Sequence, residues 1–81
     1  TEALAVAQKN GDRLGEADTL KAIGDVRKFL KQNQDALRDY DQALTRYREI
    51  GERWGEATTL EAIGDVLQFL KQTQEALNYY N

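Results

Sequence analysis

Residues 11–41 and 51–81 are two copies of one segment: GDRLGEADTLKAIGDVRKFLKQNQDALRDYD returns as GERWGEATTLEAIGDVLQFLKQTQEALNYYN, offset by 40, with 20 of 31 aligned pairs identical. A fixed period of this size is the mark of stacked modules, each too small to bury its apolar face alone and each completed by a neighbour. Modules of this kind present an extended surface and rarely perform chemistry. The repeat therefore bounds the function as well as the fold.

Composition narrows the choice further. At 81 residues a single core barely offsets the entropy of ordering the backbone, and without cysteine no disulfide can help. The lack of cysteine and histidine removes zinc sites, thiol redox chemistry and imidazole acid–base catalysis together, so no metal and no cofactor is expected. Proline is absent, and nothing interrupts a long helix from within. A net charge of -3 argues against a nucleic-acid or anionic-membrane surface, both of which call for a basic stripe. No apolar run is long enough for a membrane span and no charged-then-apolar leader opens the chain, an absence that says little for a sequence that begins inside the repeat; a cytoplasmic setting is the expectation. The sequence reads as a piece of a longer array.

Helical spacing is plain in both copies. Leu14, Ala17, Leu20, Ile23, Gly24 and Leu30 recur at three and four residues, and Ala22, Val26 and Phe29 form a second set. A helix with two apolar faces should be flanked on both sides, as an inner helix of a layered stack. Ala36, Leu37, Tyr40, Ala43, Leu44, Tyr47 and Ile50 make one stripe, opposed by Arg38, Asp41, Gln42, Thr45 and Arg48, as expected of an outer helix with a single buried face. Residues 1–10 are expected to be the tail of a preceding outer helix, matching at Ala3 with Ala43 and Leu4 with Leu44. Residues 11–50 are expected to be a complete repeat, with an inner helix over about 13–31 and an outer one over about 34–50. Residues 51–81 should be a truncated repeat, with an inner helix over about 53–71 and a partial outer one over about 74–81.

The boundary residues suit this division. Asn33 and its counterpart Thr73 can cap an outer helix, with Asp35 and Glu75 placing negative charge in its first turn. Gly11 and Gly51 suit a left-handed residue closing the outer helix. Asp12 is a good cap for the inner helix; Glu52 is a poorer one. Links of about two residues force antiparallel neighbours.

Leu20, Ile23, Gly24, Ala36, Tyr40 and Ala43 in the first copy, with Leu60, Ile63, Gly64, Ala76 and Tyr80 in the second, resemble the signature of the tetratricopeptide repeat. The resemblance covers essentially the whole chain. It implies an all-α fold, a right-handed superhelical solenoid of antiparallel helix pairs. The physical sense of the signature is direct: Gly24 and Ala36 are small where two helices approach closely, and Leu20 and Tyr40 fill the space beside them. Two departures stand out. The usual repeat of about 34 residues commonly ends its second helix in proline, whereas this period is 40 and Arg48 occupies that place. The additional residues Gly51 to Glu56 should lengthen both helices, which resembles a long bacterial variety of the repeat. Where an aromatic residue often follows the glycine, Arg27 and Leu67 stand instead.

The resemblance also implies that inner helices line a concave groove. Its floor would then be Asp18, Lys21, Asp25 and Lys28, continued by Thr58, Glu61, Asp65 and Gln68. The groove reading competes with an ordinary solvated face held by helical pairs such as Asp18 with Lys21 and Asp25 with Lys28. The first stripe is neutral and the second carries two negative charges, favouring a basic or neutral protein or peptide ligand. Some family members grip a terminal carboxylate with lysine and asparagine one turn apart, but Asp25 follows Lys21 here and Asp65 follows Glu61, so an anion would be repelled. Asp25 and Asp65 are not read as a catalytic pair, since no base, nucleophile or metal ligand stands beside them and they are equivalent positions of successive repeats. The glycines of GDRLGE and GERWGE lack the lysine and hydroxyl of a phosphate loop and mark repeat boundaries. Trp54, in the place of Leu14, should pack at the start of an inner helix, with a contact role as the alternative. The expected function is a non-enzymatic protein-interaction scaffold. The alternative is a self-assembling module whose uncovered ends stack as homo-oligomers or exchange helices.

Overall fold

The computed structural model describes residues 12–80, with side chains through residue 78. Three helices follow one another: α1 (Arg13–Phe29), α2 (Asn33–Glu49) and α3 (Arg53–Tyr80). Every described element is helical, and the fold is an all-α helical repeat. The expected tail over residues 1–10 and the expected closing residue Gly11 lie outside the described residues.

The helix ends follow from local chemistry. Asp12 caps α1 by accepting from the Gly15 amide at 2.7 Å. Glu52, the poorer cap by type, nonetheless reaches the first turn of α3 and accepts from the amides of Trp54 (2.8 Å) and Gly55 (3.3 Å). At the other end of α2, Gly51 adopts a φ of 69°. Its amide donates to Arg48 and that of Glu52 to Tyr47, which closes the last turn in a Schellman motif. The turn after α1 has the same pattern, with the Lys31 amide on Lys28 and the Gln32 amide on Arg27. Here the left-handed residue is Lys31 at φ 64°, a conformation that disfavours any side chain with a Cβ. Asn33 is not the cap of α2. That place falls to Gln32, which makes no side-chain capping bond, and Asn33 is already inside the helix.

Burial shows where the core sits. Ala17 and Leu20 of α1 pack with Ala43 and Tyr47 of α2. Ala36 and Tyr40 of α2 pack with Ala62 and Val66 of α3, flanked by Leu37, Ile63 and Leu70. The stripe of α2 is thus divided lengthwise between two neighbours, and α2 rather than α1 is the helix covered on both sides. The second apolar set of α1 is uncovered: Val26 is 59% and Phe29 82% exposed. The matching set of α3 is the covered one, with Ala62 and Val66 buried. An inner helix here uses one of its two faces, according to which side α2 occupies.

The second copy departs most from expectation. No turn occurs at 71–73, and α3 runs 28 residues without a break. Thr73, the expected cap, donates its hydroxyl to the Phe69 carbonyl inside the continuous helix. The physical reason is a balance between turn cost and burial. Turning at Lys71 would force a non-glycine residue into the left-handed region and give up intrahelical hydrogen bonds. In the first copy that cost is offset along 17 residues of α2, which bury Ala36, Tyr40, Ala43, Leu44 and Tyr47. In the second, the described residues beyond the turn position, Gln74 to Asn78, are exposed and bury nothing that would offset it. The signature residues of the second copy are accordingly less enclosed: Leu60, Gly64 and Ala76 are exposed.

Candidate functional site

A cleft of about 530 Å³ opens between α1 and the start of α3. Leu14, Asp18, Lys21, Ala22 and Asp25 form one wall, Glu52, Trp54, Gly55 and Thr58 the other, and Tyr47 of α2 closes the back. Four of the expected groove residues, Asp18, Lys21, Asp25 and Thr58, meet here. Lys28 lies just beyond, with Asp25, Phe29 and Lys31 around a shallower depression. Glu61, Asp65 and Gln68 are exposed along α3 and do not line the cleft.

Two glycines and two tyrosines build the floor. The ring of Tyr40 lies over Gly24, where a Cβ would fall 2.8 Å from the nearest ring carbon. That approach carries the Tyr40 hydroxyl to Asp25, to which it donates at 2.6 Å. Across the repeat boundary the ring of Tyr47 lies over Gly55 in the same way, with only 2.3 Å available to a Cβ. Its hydroxyl reaches past α3 to donate to Asp18 on α1 at 2.5 Å. Each outer-helix tyrosine is therefore an apolar body in the core with a polar tip at the groove, and each tip fixes one groove carboxylate.

The ion pairs differ from those the spacing suggested. Asp18 is held by Tyr47 rather than by Lys21. Lys21 pairs with Asp25 at 3.2 Å, and Lys28 reaches across to Asp65 at 3.3 Å instead of back to Asp25. The side chains are half-exposed, so each pair adds little to stability; their effect is to fix where charge lies in the groove. Because Lys21 is already paired with a carboxylate, it offers no free cation to an incoming anion. Asp25 and Asp65 are engaged with Tyr40, Lys21 and Lys28, and among the described residues no cluster of acidic side chains is arranged to hold a metal. Elsewhere Arg46 donates to Glu16 at 2.6 Å between α1 and α2, and Arg48 to Glu56 at 3.1 Å between α2 and α3.

Both phenols are pushed well above their ordinary value of 10.0. Burial is the largest cause, followed by the hydrogen bond to Asp25 for Tyr40 and to Asp18 for Tyr47. The sign for stability follows. The folded state holds these protons more tightly than the unfolded chain, so their contribution is fully present below pH 10.0 and is lost progressively as pH rises above it. Urea midpoints measured from neutral to strongly alkaline pH should fall in that upper window, and a chain carrying both Tyr40→Phe and Tyr47→Phe should show a shallower fall.

Sequence reasoning missed the most exposed part of the site. Trp54, expected to pack, is 77% exposed at the cleft mouth, facing Leu14 across the opening. Its placement follows from Glu52, whose capping bonds start α3 at Arg53 and set Trp54 in a first turn that α2 does not cover. Arg27, the other departure noted above, is paired with the buried Asp39, its Nε 3.4 Å from Oδ2. A signal for that pair was present in the repeat: both members change together, to Leu67 and Tyr79, in the second copy. No helix among the described residues is long and apolar enough to cross a membrane.

A family model described as Tetratricopeptide repeat matches residues 29–81. No curated protein and no solved structure matches the chain.

Proposed function

The chain belongs to the tetratricopeptide repeat family, typically non-enzymatic scaffolds that bind protein partners, and on that premise we propose that the cleft between α1 and α3 grips a partner segment carrying one apolar and one basic side chain. The observation that carries this reading is Trp54, a large indole left bare at the mouth of a cleft instead of being drawn into a core. Exposed aromatic residues beside a concavity are the usual anchors of protein contacts. Charge supplies the rest: Asp18, Asp25 and Glu52 outweigh Lys21 by two among the lining residues. Tyr47 engages Asp18 through Oδ1 alone, which leaves its other carboxylate oxygen for a cationic group, whereas both oxygens of Asp25 are taken up by Tyr40 and Lys21.

Trp54 is the only tryptophan in the chain, so its fluorescence reports directly on the cleft. The probe is a series of synthetic peptides pairing a leucine or phenylalanine anchor with lysine, alanine or glutamate nearby. Basic members should bind most tightly and shift the emission. Trp54→Ala, followed by calorimetry, should weaken binding about tenfold or more, the effect of losing an interface hot spot. A preference for the glutamate peptides, affinity unchanged by Trp54→Ala, or no response to any of the series would each overturn the assignment.

A further inference from the structure

We infer that a second copy of this chain docks on the uncovered face of α1, through the stripe at the end of α3, in a head-to-tail contact. The molecule already contains one such interface. Its donor side is Ala36, Leu37 and Tyr40 of α2, and its acceptor side is Ala62, Ile63, Val66 and Leu70 of α3. Shifting each number by the period of 40 gives Ala76, Leu77 and Tyr80 on one side and Ala22, Ile23, Val26 and Leu30 on the other. All seven residues are identical to their counterparts, although more than a third of the aligned pairs between the copies differ. α3 beyond Leu70 thus repeats the donor sequence and α1 the acceptor sequence of a contact the molecule already makes.

Both spare surfaces are open. On the acceptor, Ala22, Val26 and Leu30 are exposed, with Phe29 beside them. On the donor, Ala76 and Leu77 are exposed. The continuous α3 explains the second. Val66, Leu70 and Leu77 fall on one line of the helix, covered by α2 up to Leu70 and bare beyond it. This continues an existing interface past the point where its own partner helix ends.

The two surfaces differ, so the contact is heterologous: one copy's donor occupies the next copy's acceptor, leaving a free donor and a free acceptor at the ends. The contact shares Ala22 with the cleft proposed above but does not use Trp54, so Trp54→Ala should leave it unchanged. Sedimentation velocity across a wide concentration range should show the average mass rising beyond one chain. Val26→Lys and Leu77→Lys alter exposed helical positions with a good helix former, so each variant should keep its helical circular dichroism and sediment as a single chain at every concentration. Mixed together they should form a one-to-one dimer and nothing larger, because Val26→Lys retains a donor and Leu77→Lys an acceptor. A wild-type chain that stays monomeric at the highest concentration would overturn the inference and leave the face to another protein. So would association that only one of the variants abolishes, or a mixture that fails to pair.

Discussion

Tyr40→Ala should destabilise the chain by about 3–5 kcal/mol, the range for removing a large buried aromatic side chain. Tyr40 is fully buried and is the largest member of the cluster joining α2 to α3. Its ring also covers Gly24, so truncation opens space against α1 as well. Total stability for a domain of this size is of order 4–12 kcal/mol at about 0.05–0.15 kcal/mol per residue. The loss therefore removes a large part of the margin, and a urea titration followed by circular dichroism should show a native baseline shortened or absent. Tyr40→Phe separates ring from hydroxyl. It retains the packing and removes only the bond to Asp25, whose carboxylate remains partly solvated, so about 1 kcal/mol is expected. Equal losses from the two substitutions would show that the hydroxyl, and not the ring, holds the helices together.

The repeat made most of this fold readable, and the residues it failed to place share a cause. Periodicity located α1 and α2, and the glycines and tyrosines of the signature identified where the helices meet. Gly51 shows how far local chemistry reaches: glycine is the natural occupant of a left-handed closing residue, and there it stands. Lys31 does the same with the wrong side chain, and only the packing of α2 explains why it is tolerated. The same sequence, Lys-Gln followed by a polar residue, stays helical at Lys71. Identical local signals give a turn once and a helix once, because the deciding term is the apolar area available after the turn. That is a property of the neighbour, which no local window contains. At the site, the stripe from Asp18 to Asp25 was legible from helical spacing. Its hydrogen-bond partners were not: Tyr40 and Tyr47 reach it from another helix, across gaps that exist only where Gly24 and Gly55 lack a side chain. Trp54 was misplaced for the converse reason, an apolar type at a packing position with nothing described to pack against it.

The same substitution at two equivalent glycines should have opposite effects. Gly24 and Gly64 share the local sequence Leu-x-Ala-Ile-Gly-Asp-Val and both lie within helices, so intrinsic preference treats them alike. Replacing a glycine inside a helix by alanine gains about 0.5–1 kcal/mol from backbone entropy. At Gly64 nothing lies within 4 Å of the added carbon, and Gly64→Ala should raise stability by about that amount. At Gly24 the added carbon would sit 2.8 and 2.9 Å from two ring atoms of Tyr40, distances that side chains do not adopt. Tyr40 cannot swing aside, since it is fully buried and its hydroxyl is held by Asp25, so α1 and α2 must separate. Overpacking of this kind costs about 1–3 kcal/mol, which exceeds the helical gain, and Gly24→Val should deepen the loss. Urea midpoints therefore move apart, upward for Gly64→Ala and downward for Gly24→Ala. The comparison also tests the unbroken α3. If residues beyond Lys71 instead fold back as α2 does in the first copy, a ring would cover Gly64 too, and both alanine variants would be destabilised alike.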